Sequence, residues 1–233
     1  MHLNDFKVIS LKEFKMHFLM KKVQKNEMTF LMKKNDIFRA SLQLAVLRDS
    51  VNSMDDTVYE RLIRQCVETI RNGGKIVASG LGKNVPICEK FVGAMNSMGL
   101  DARFLHTNTA IHGDLGIVGK NDMVLLLSKG GNTVETVMLA QYLKERKTNV
   151  WLLTFTEHCK STELVDEKLV LHLINEGDEW DIMPNNSTSV YLILLQGLAV
   201  EIGKRMGVTI EDFKINHPGG GIGAKLRGET IWK

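Results

Sequence analysis

Met123-Val124-Leu125-Leu126-Leu127-Ser128-Lys129-Gly130-Gly131-Asn132-Thr133-Val134-Glu135 decides the fold. Five apolar residues in succession read as a strand covered on both faces. A glycine pair stops the run, and a helical pattern follows from Val134 to Arg146. Strand, glycine turn and helix in that order form half of a βαβ unit. The same design stands upstream. Lys75–Ser79 is a short β-branched strand, Gly80-Leu81-Gly82-Lys83-Asn84 is its turn, and Val85 to Met98 is its helix, with Pro86 tolerated in the first turn. Ala102–Leu105, Val150–Thr154 and Leu169–Leu173 complete five strands. Helix resumes after Asn185-Asn186-Ser187 and runs to about Met206. Strands alternating with helices imply right-handed crossovers and a parallel sheet, as one domain.

Two helical patterns precede the first strand. One runs from Asp36 to about Val51. The other starts after Asp55 or Asp56, either of which can cap it, and ends at Gly73-Gly74. They predict an N-terminal helical hairpin. Residues 1–35 stand apart as a basic extension, and residues 36–233 as the folded domain. Met1 to Lys34 carries eight lysines against Asp5, Glu13 and Glu27, a net +5, while the whole chain is only +3. Within it Phe18-Leu19-Met20-Lys21-Lys22 recurs as Phe30-Leu31-Met32-Lys33-Lys34. That pattern fits either an extension packed on a partner subunit or a basic amphipathic helix on a membrane surface.

With 233 residues, 44% of them hydrophobic, the chain can build a sizeable core. Its charge balance excludes an obvious polyanion binder, and no nucleic-acid role is expected, because stacking aromatics do not interleave with the basic residues. Cys66, Cys88 and Cys159 form no C-x-x-C pair, which suits free thiols in a reducing compartment. The start is charged and no apolar run nears the ~20 residues of a membrane span. The expectation is a cytoplasmic protein.

The candidate chemistry lies in segments far apart in sequence. Gly82, Lys83 and Asn84 follow the first strand; Ser128, Lys129, Gly131, Asn132 and Thr133 follow the third. Glycine turns at helix amino ends favour an anion, although each is also what an ordinary strand-to-helix turn needs. Glu135 falls in a first helical turn, where a carboxylate is stabilised whether or not it does chemistry. Ser187 and Thr188 belong to a polar cluster that opens the last long helix, beyond what one N-cap requires. Glu176 sits in an acidic loop that would ordinarily be solvated. His112, in Ile111-His112-Gly113-Asp114-Leu115-Gly116, lacks the neighbours of a zinc site, so no metal is expected. His217 precedes Pro218-Gly219-Gly220, whose backbone is free. Together these groups suit a small phosphorylated metabolite and proton transfer with no cofactor.

Taken together, the segments resemble the sugar isomerase (SIS) domain, and more narrowly the bacterial arabinose-5-phosphate isomerase family. The similarity runs from about Asp36 to Leu226. It is most specific in His112-Gly113-Asp114-Leu115-Gly116 and in His217-Pro218-Gly219-Gly220. The resemblance implies a three-layer α/β/α sandwich, SIS and flavodoxin-like, with a five-stranded parallel sheet. It implies aldose–ketose isomerisation of arabinose 5-phosphate and ribulose 5-phosphate, and a catalytic set of Lys83, Glu135, Glu176 and His217. It further implies a homo-oligomer, specifically a tetramer, in which the late histidine comes from a neighbour. The chain resembles the short form without CBS domains. It departs from the family in having Asn84 after the lysine, in Ser128-Lys129-Gly130-Gly131-Asn132 where the family has Ser-x-Ser-Gly-Glu, and in Asn185-Asn186 where it has Thr-Ser.

Two other functions stay open on the sequence: a SIS domain that senses a sugar phosphate without converting it, and an isomerase of another sugar phosphate such as a hexulose 6-phosphate. Either Glu135 or Glu176 can be the base that removes the proton beside the carbonyl. The helix of Ser189–Met206 is apolar on nearly every side, which predicts burial all round and hence a subunit interface.

Overall fold

A computed structural model describes residues 36–229, with side chains from Arg39 onward. The expectation of an amphipathic extension over residues 1–34 lies outside the described residues. The chain divides into two units, residues 1–46 and 47–233. The second unit holds the sheet and is the subject below.

Five strands form one parallel sheet: β1 (Ile76–Gly80), β2 (Ala102–His106), β3 (Met123–Leu127), β4 (Asn149–Thr154) and β5 (Glu167–Val170). Their order is β2-β1-β3-β4-β5. Helix α1 (Asp36–Asn52) and helix α2 (Asp56–Arg71) precede them. Asp55 is the N-cap of α2, its carboxylate accepting from the N–H groups of Thr57 and Val58. Helix α3 (Val85–Ser97) follows β1, the short α4 (Thr107–Ala110) follows β2, and α5 (Val134–Glu145) follows β3. The long α6 (Asn186–Met206) comes after β5, with α7 (Ile210–Ile215) and α8 (Gly220–Leu226) behind it. No described helix is long and apolar enough to cross a membrane.

Strand side chains alternate between two hydrophobic layers. Ile76, Ala78, Met123, Leu125, Trp151 and Leu153 pack with α2, α3 and α6. Val77, Val124, Leu126, Val150 and Leu152 face the other way, against Leu139, Ala140 and Leu143 of α5. The three-layer α/β/α arrangement is the expected one. β1 and β3 are buried at every position, which the unbroken apolar run predicted for β3. All three thiols are free and buried. Burial pushes the Cys88 thiol up to about 12 and Cys66 higher still, so neither is a ready nucleophile.

One expectation needs correction. The fifth strand is Glu167–Val170, not Leu169–Leu173. It pairs Glu167–Val170 with Trp151–Thr154, and β4 offers no further ladder once it ends at Thr154. Helix α6, expected to lie at a subunit interface, has Ile193 44% and Val200 65% exposed in the single chain. One face meets the sheet and α3, and the opposite face is exposed among the described residues.

At the amino edge of the sheet, Asp122 joins β1 to β3. Its carboxylate accepts from the Lys75 N–H (2.9 Å), the Lys75 ammonium (2.5 Å) and the Gly119 N–H (2.6 Å). Nearby, a Cβ on Gly74 would lie 2.1 Å from the Asn121 carbonyl oxygen, so only glycine fits that approach. Burial pushes the Asp122 carboxyl upward, but the ammonium and the two N–H groups outweigh it, and the group titrates below the usual carboxylate range. Asp122→Ala is expected to cost about 2–3 kcal/mol in urea unfolding, since it strands charge-assisted donors. Because the folded carboxyl is the stronger acid, this contribution is present at neutral pH. It is lost as pH falls below the unfolded value of about 4. The gap between wild type and variant should therefore narrow in acid.

Candidate active site

The strand order places a switch point between β1 and β3. The connection from β1 leads outward one way and that from β3 the other, so a crevice opens between their carboxyl ends. Gly80 and Leu127, the last residues of β1 and β3, are register partners. The loops holding Lys83 and Glu135 leave from these two positions, so both residues stand at the same edge of the sheet. Asn84 ties the two loops, its side-chain amide donating to the Leu127 carbonyl (3.3 Å). Gly82, with φ +56°, starts the 3₁₀ turn Gly82–Asn84 that exposes Lys83. Glu135 is half-buried in the first turn of α5. No hydrogen bond or ion pair engages its carboxylate among the described residues.

The loop after β3 is held from three sides. The Ser128 hydroxyl, buried, accepts from the Gly131 N–H (3.1 Å). The Lys129 carbonyl accepts from the Phe155 N–H and from the hydroxyls of Thr154 and Thr156, all at 3.0–3.1 Å. Asn132 accepts from the Lys160 N–H (2.9 Å), and Gly131 from the Ser161 N–H (3.1 Å). Thr133 precedes α5 with no side-chain cap, so its hydroxyl is not spent on the helix.

Glu176 has a different environment from Glu135. It is fully buried. One carboxylate oxygen accepts from the Lys129 ammonium at 2.5 Å. The other accepts from the N–H groups of Asn185 (3.1 Å) and Ser187 (2.9 Å), at the start of α6. A carboxylate there is favoured by the helix dipole. The Thr188 hydroxyl donates to the Pro184 and Asn185 carbonyls, so it too is turned to its own backbone.

His217 is not brought to this edge within one chain. Helix α3 leaves the carboxyl end of β1 and finishes at the amino edge. There the Ser97 carbonyl accepts from Asn216, the neighbour of His217 (3.4 Å). The imidazole stacks on Phe213 with centroids 4.0 Å apart, and its Nδ1 lies 2.7 Å from the Phe213 carbonyl. A carbonyl only accepts, so Nδ1 carries a hydrogen and Nε2 is left available. His112 is exposed on a segment that runs back along α5. By Leu115 that segment has reached the far end of the helix, where Arg146 donates to the Leu115 carbonyl (2.7 Å).

Several supporting residues escaped sequence reasoning. Asp178 read as part of an acidic loop that is ordinarily solvated, and Asp181 beyond it was not singled out. Asp178 instead accepts from the N–H groups of Trp180, Ile182 and Met183. Asp181, at φ +58°, accepts from the Glu176 N–H. Aspartate tolerates that left-handed conformation, and the spacing Asp-x-x-Asp in a loop was the available signal. Cys159 gave no signal at all. Its sulfur fills the space where a Gly131 side chain would be: a Cβ there would lie 2.1 Å from Sγ.

Gly131 also has φ +61°, which disfavours any side chain. Gly131→Ala is therefore expected to displace the loop. The measurable result is a loss of at least about 2 kcal/mol in unfolding free energy, with weakened binding of sugar phosphates. Wild-type stability and binding in that variant would show that the loop is not held by this contact.

Comparison with known proteins places this geometry. The chain is 34% identical over 185 residues to the arabinose 5-phosphate isomerase KdsD of Yersinia pestis, covering 78% of this chain and 56% of that one. It is 30% identical over 190 residues to the protein of the same name from Pseudomonas aeruginosa, covering 82% and 58%. The chain thus spans less than two thirds of the length of these curated relatives. A solved structure of an Escherichia coli CFT073 protein in complex with arabinose 5-phosphate matches with TM-score 0.73 at 26% identity, covering 83% of this chain and 98% of that one. The SIS domain model matches residues 69–201, a stretch that contains both crevice loops, Glu176 and the start of α6, and the chain belongs to the SIS domain family.

Proposed function

We propose that this protein is an aldose–ketose isomerase of a phosphorylated sugar, with arabinose 5-phosphate and ribulose 5-phosphate as the pair interconverted. The observation that carries the reading is the placement of Lys83 and Glu135 on the two loops that leave the partnered ends of β1 and β3. Similarity to the KdsD isomerases, and to a protein solved with arabinose 5-phosphate, supports the choice of substrate.

The reaction moves two protons, from C2 to C1 and from O2 to O1, and needs no external redox partner. After ring opening, a base removes the proton from C2, beside the C1 carbonyl. The electron pair shifts to give a cis-enediolate. The C2 proton is then delivered to C1, the O2 hydroxyl proton passes to O1, and O2 becomes the carbonyl. Glu135 is the base in this scheme, since its carboxylate is unengaged and half-exposed at the crevice. Lys83 stabilises the oxyanion that develops. Ser128, Lys129, Asn132 and Thr133 bind the phosphate beside the N–H groups of their loop.

His217 reaches such a site only from another copy of the chain. The exposed faces support an oligomer: Val134, Met138 and Tyr142 recur every four residues along α5, and Ile193 and Val200 lie bare on α6. We therefore propose a homotetramer in which residues 36–233 form the isomerase domain and the free Nε2 of His217 assists ring opening in a neighbour's crevice. A cytoplasmic location fits the three buried, unpaired thiols.

Turnover of a panel of pentose and hexose phosphates, with products identified by NMR, tests the reading. Arabinose 5-phosphate is expected to give ribulose 5-phosphate. Binding without turnover of any member would make the domain a sensor instead. Glu135→Gln should lower kcat by about 10²–10⁴ while leaving sugar-phosphate affinity nearly unchanged; full turnover in that variant would remove Glu135 as the base. Light scattering should give four times the chain mass. Mixing Glu135→Gln with His217→Ala subunits should then restore part of the lost activity.

A further inference from the structure

The buried Glu176 carboxylate makes contacts that suit another task better than proton abstraction. It has no accessible surface, so a substrate in the crevice cannot touch it in this arrangement. Both oxygens are already occupied: one by the Lys129 ammonium, the other by two N–H groups of the α6 start. That start, at the head of a 21-residue helix, is where an external phosphate would otherwise bind. Glu176 fills it with an internal anion.

The pair is asymmetric. Glu176 is fully buried, whereas the Lys129 side chain is 44% exposed. Lys129 is also anchored at its backbone, where its carbonyl accepts from Thr154, Phe155 and Thr156. The residue is thus held at both its backbone and its ammonium. Of its three N–H donors, one is spent on Glu176 and two are left for an anion in the crevice. A free lysine must give up side-chain entropy to bind; one already fixed gives up less.

We infer that Glu176 is a positioning residue: its carboxylate closes the α6 amino end to phosphate and fixes the Lys129 ammonium, which then contacts the phosphate of the substrate. This deepens the function proposed above and rests on a sugar phosphate entering the same crevice. Lys129 takes over part of the work that hydroxyls or N–H groups alone would do in this loop.

Calorimetric titration with arabinose 5-phosphate and with inorganic phosphate tests the inference separately from turnover. Lys129→Met and Glu176→Gln are each expected to weaken binding of both probes about tenfold, the loss of one charged hydrogen bond. The double variant should be no weaker than Lys129→Met alone, because Glu176 acts through Lys129. Lys129→Arg, which keeps the charge, should stay within a few-fold of wild type. Where wild type turns over substrate, Glu176→Gln should raise KM with kcat reduced less than the affinity.

The inference fails if Glu176→Gln abolishes kcat with unchanged affinity, if the two losses add in full, or if wild type binds neither probe. Should Glu176→Gln not fold, as judged by circular dichroism, the Lys129 pair decides: wild-type affinity in Lys129→Met overturns the inference. If binding follows the expected ratios but no sugar phosphate is converted, the isomerase reading falls and this one stands.

Discussion

Pairing of β1 with β3 is the constraint on which the site depends. It puts Gly80 beside Leu127, so two turns from distant parts of the chain begin side by side. The chain reaches β3 only after crossing to β2 at the outside of the sheet and returning. The helices that follow β1 and β3 therefore lie on opposite faces. Each turn must diverge from the other, and the gap between them is lined by backbone N–H groups at two helix starts. Asn84 and Asp122 hold the two strands together at opposite edges, one through a carbonyl and one through an ion pair.

The crevice is furnished by packing that has little to do with its ligands. Cys159 and Ser161 brace Gly131; Thr154 and Thr156 brace Lys129. These residues end or follow the next strand over, and they fix a loop whose own sequence is glycine-rich and otherwise free. The acidic loop after β5 is organised in the same way. Asp178 gathers three N–H groups and titrates below its usual range, because those groups outweigh the partial loss of solvent. The loop in turn sets Glu176 at the head of α6. A glutamate in an acidic run becomes a buried, fully bonded anion through contacts that are remote in sequence.

Much of this was legible beforehand. Four of the five strands and the parallel sheet follow from short apolar or β-branched runs, two of them stopped by glycine, whereas the bounds of β5, which begins Glu167-Lys168, did not. The loops carrying Lys83 and Glu135 were legible from those two glycine stops. The two glutamates, by contrast, could not be told apart. Glu135 and Glu176 are both acids near loops, and nothing local says that one has a free carboxylate and the other three donors. The apolar outer side of α6 was legible, but which residues it comprises, Ile193 and Val200, was not, since an apolar helix reads the same whichever side meets its own domain.

The sequence alone determined the layered α/β architecture, the unpaired state of the thiols, and the set of residues from which a site could be drawn. Periodicity and glycine placement are local properties, and local physics suffices to read them. Only the tertiary structure decided which of those residues share an edge: Lys83 with Glu135, Lys129 with Glu176, and His217 at the far side of its own sheet. Those relations depend on strand order and on partners remote in the chain, 47 residues apart in the Lys129–Glu176 pair. Charge and hydrogen bonding across such distances are set by where the chain returns, which no window of sequence contains.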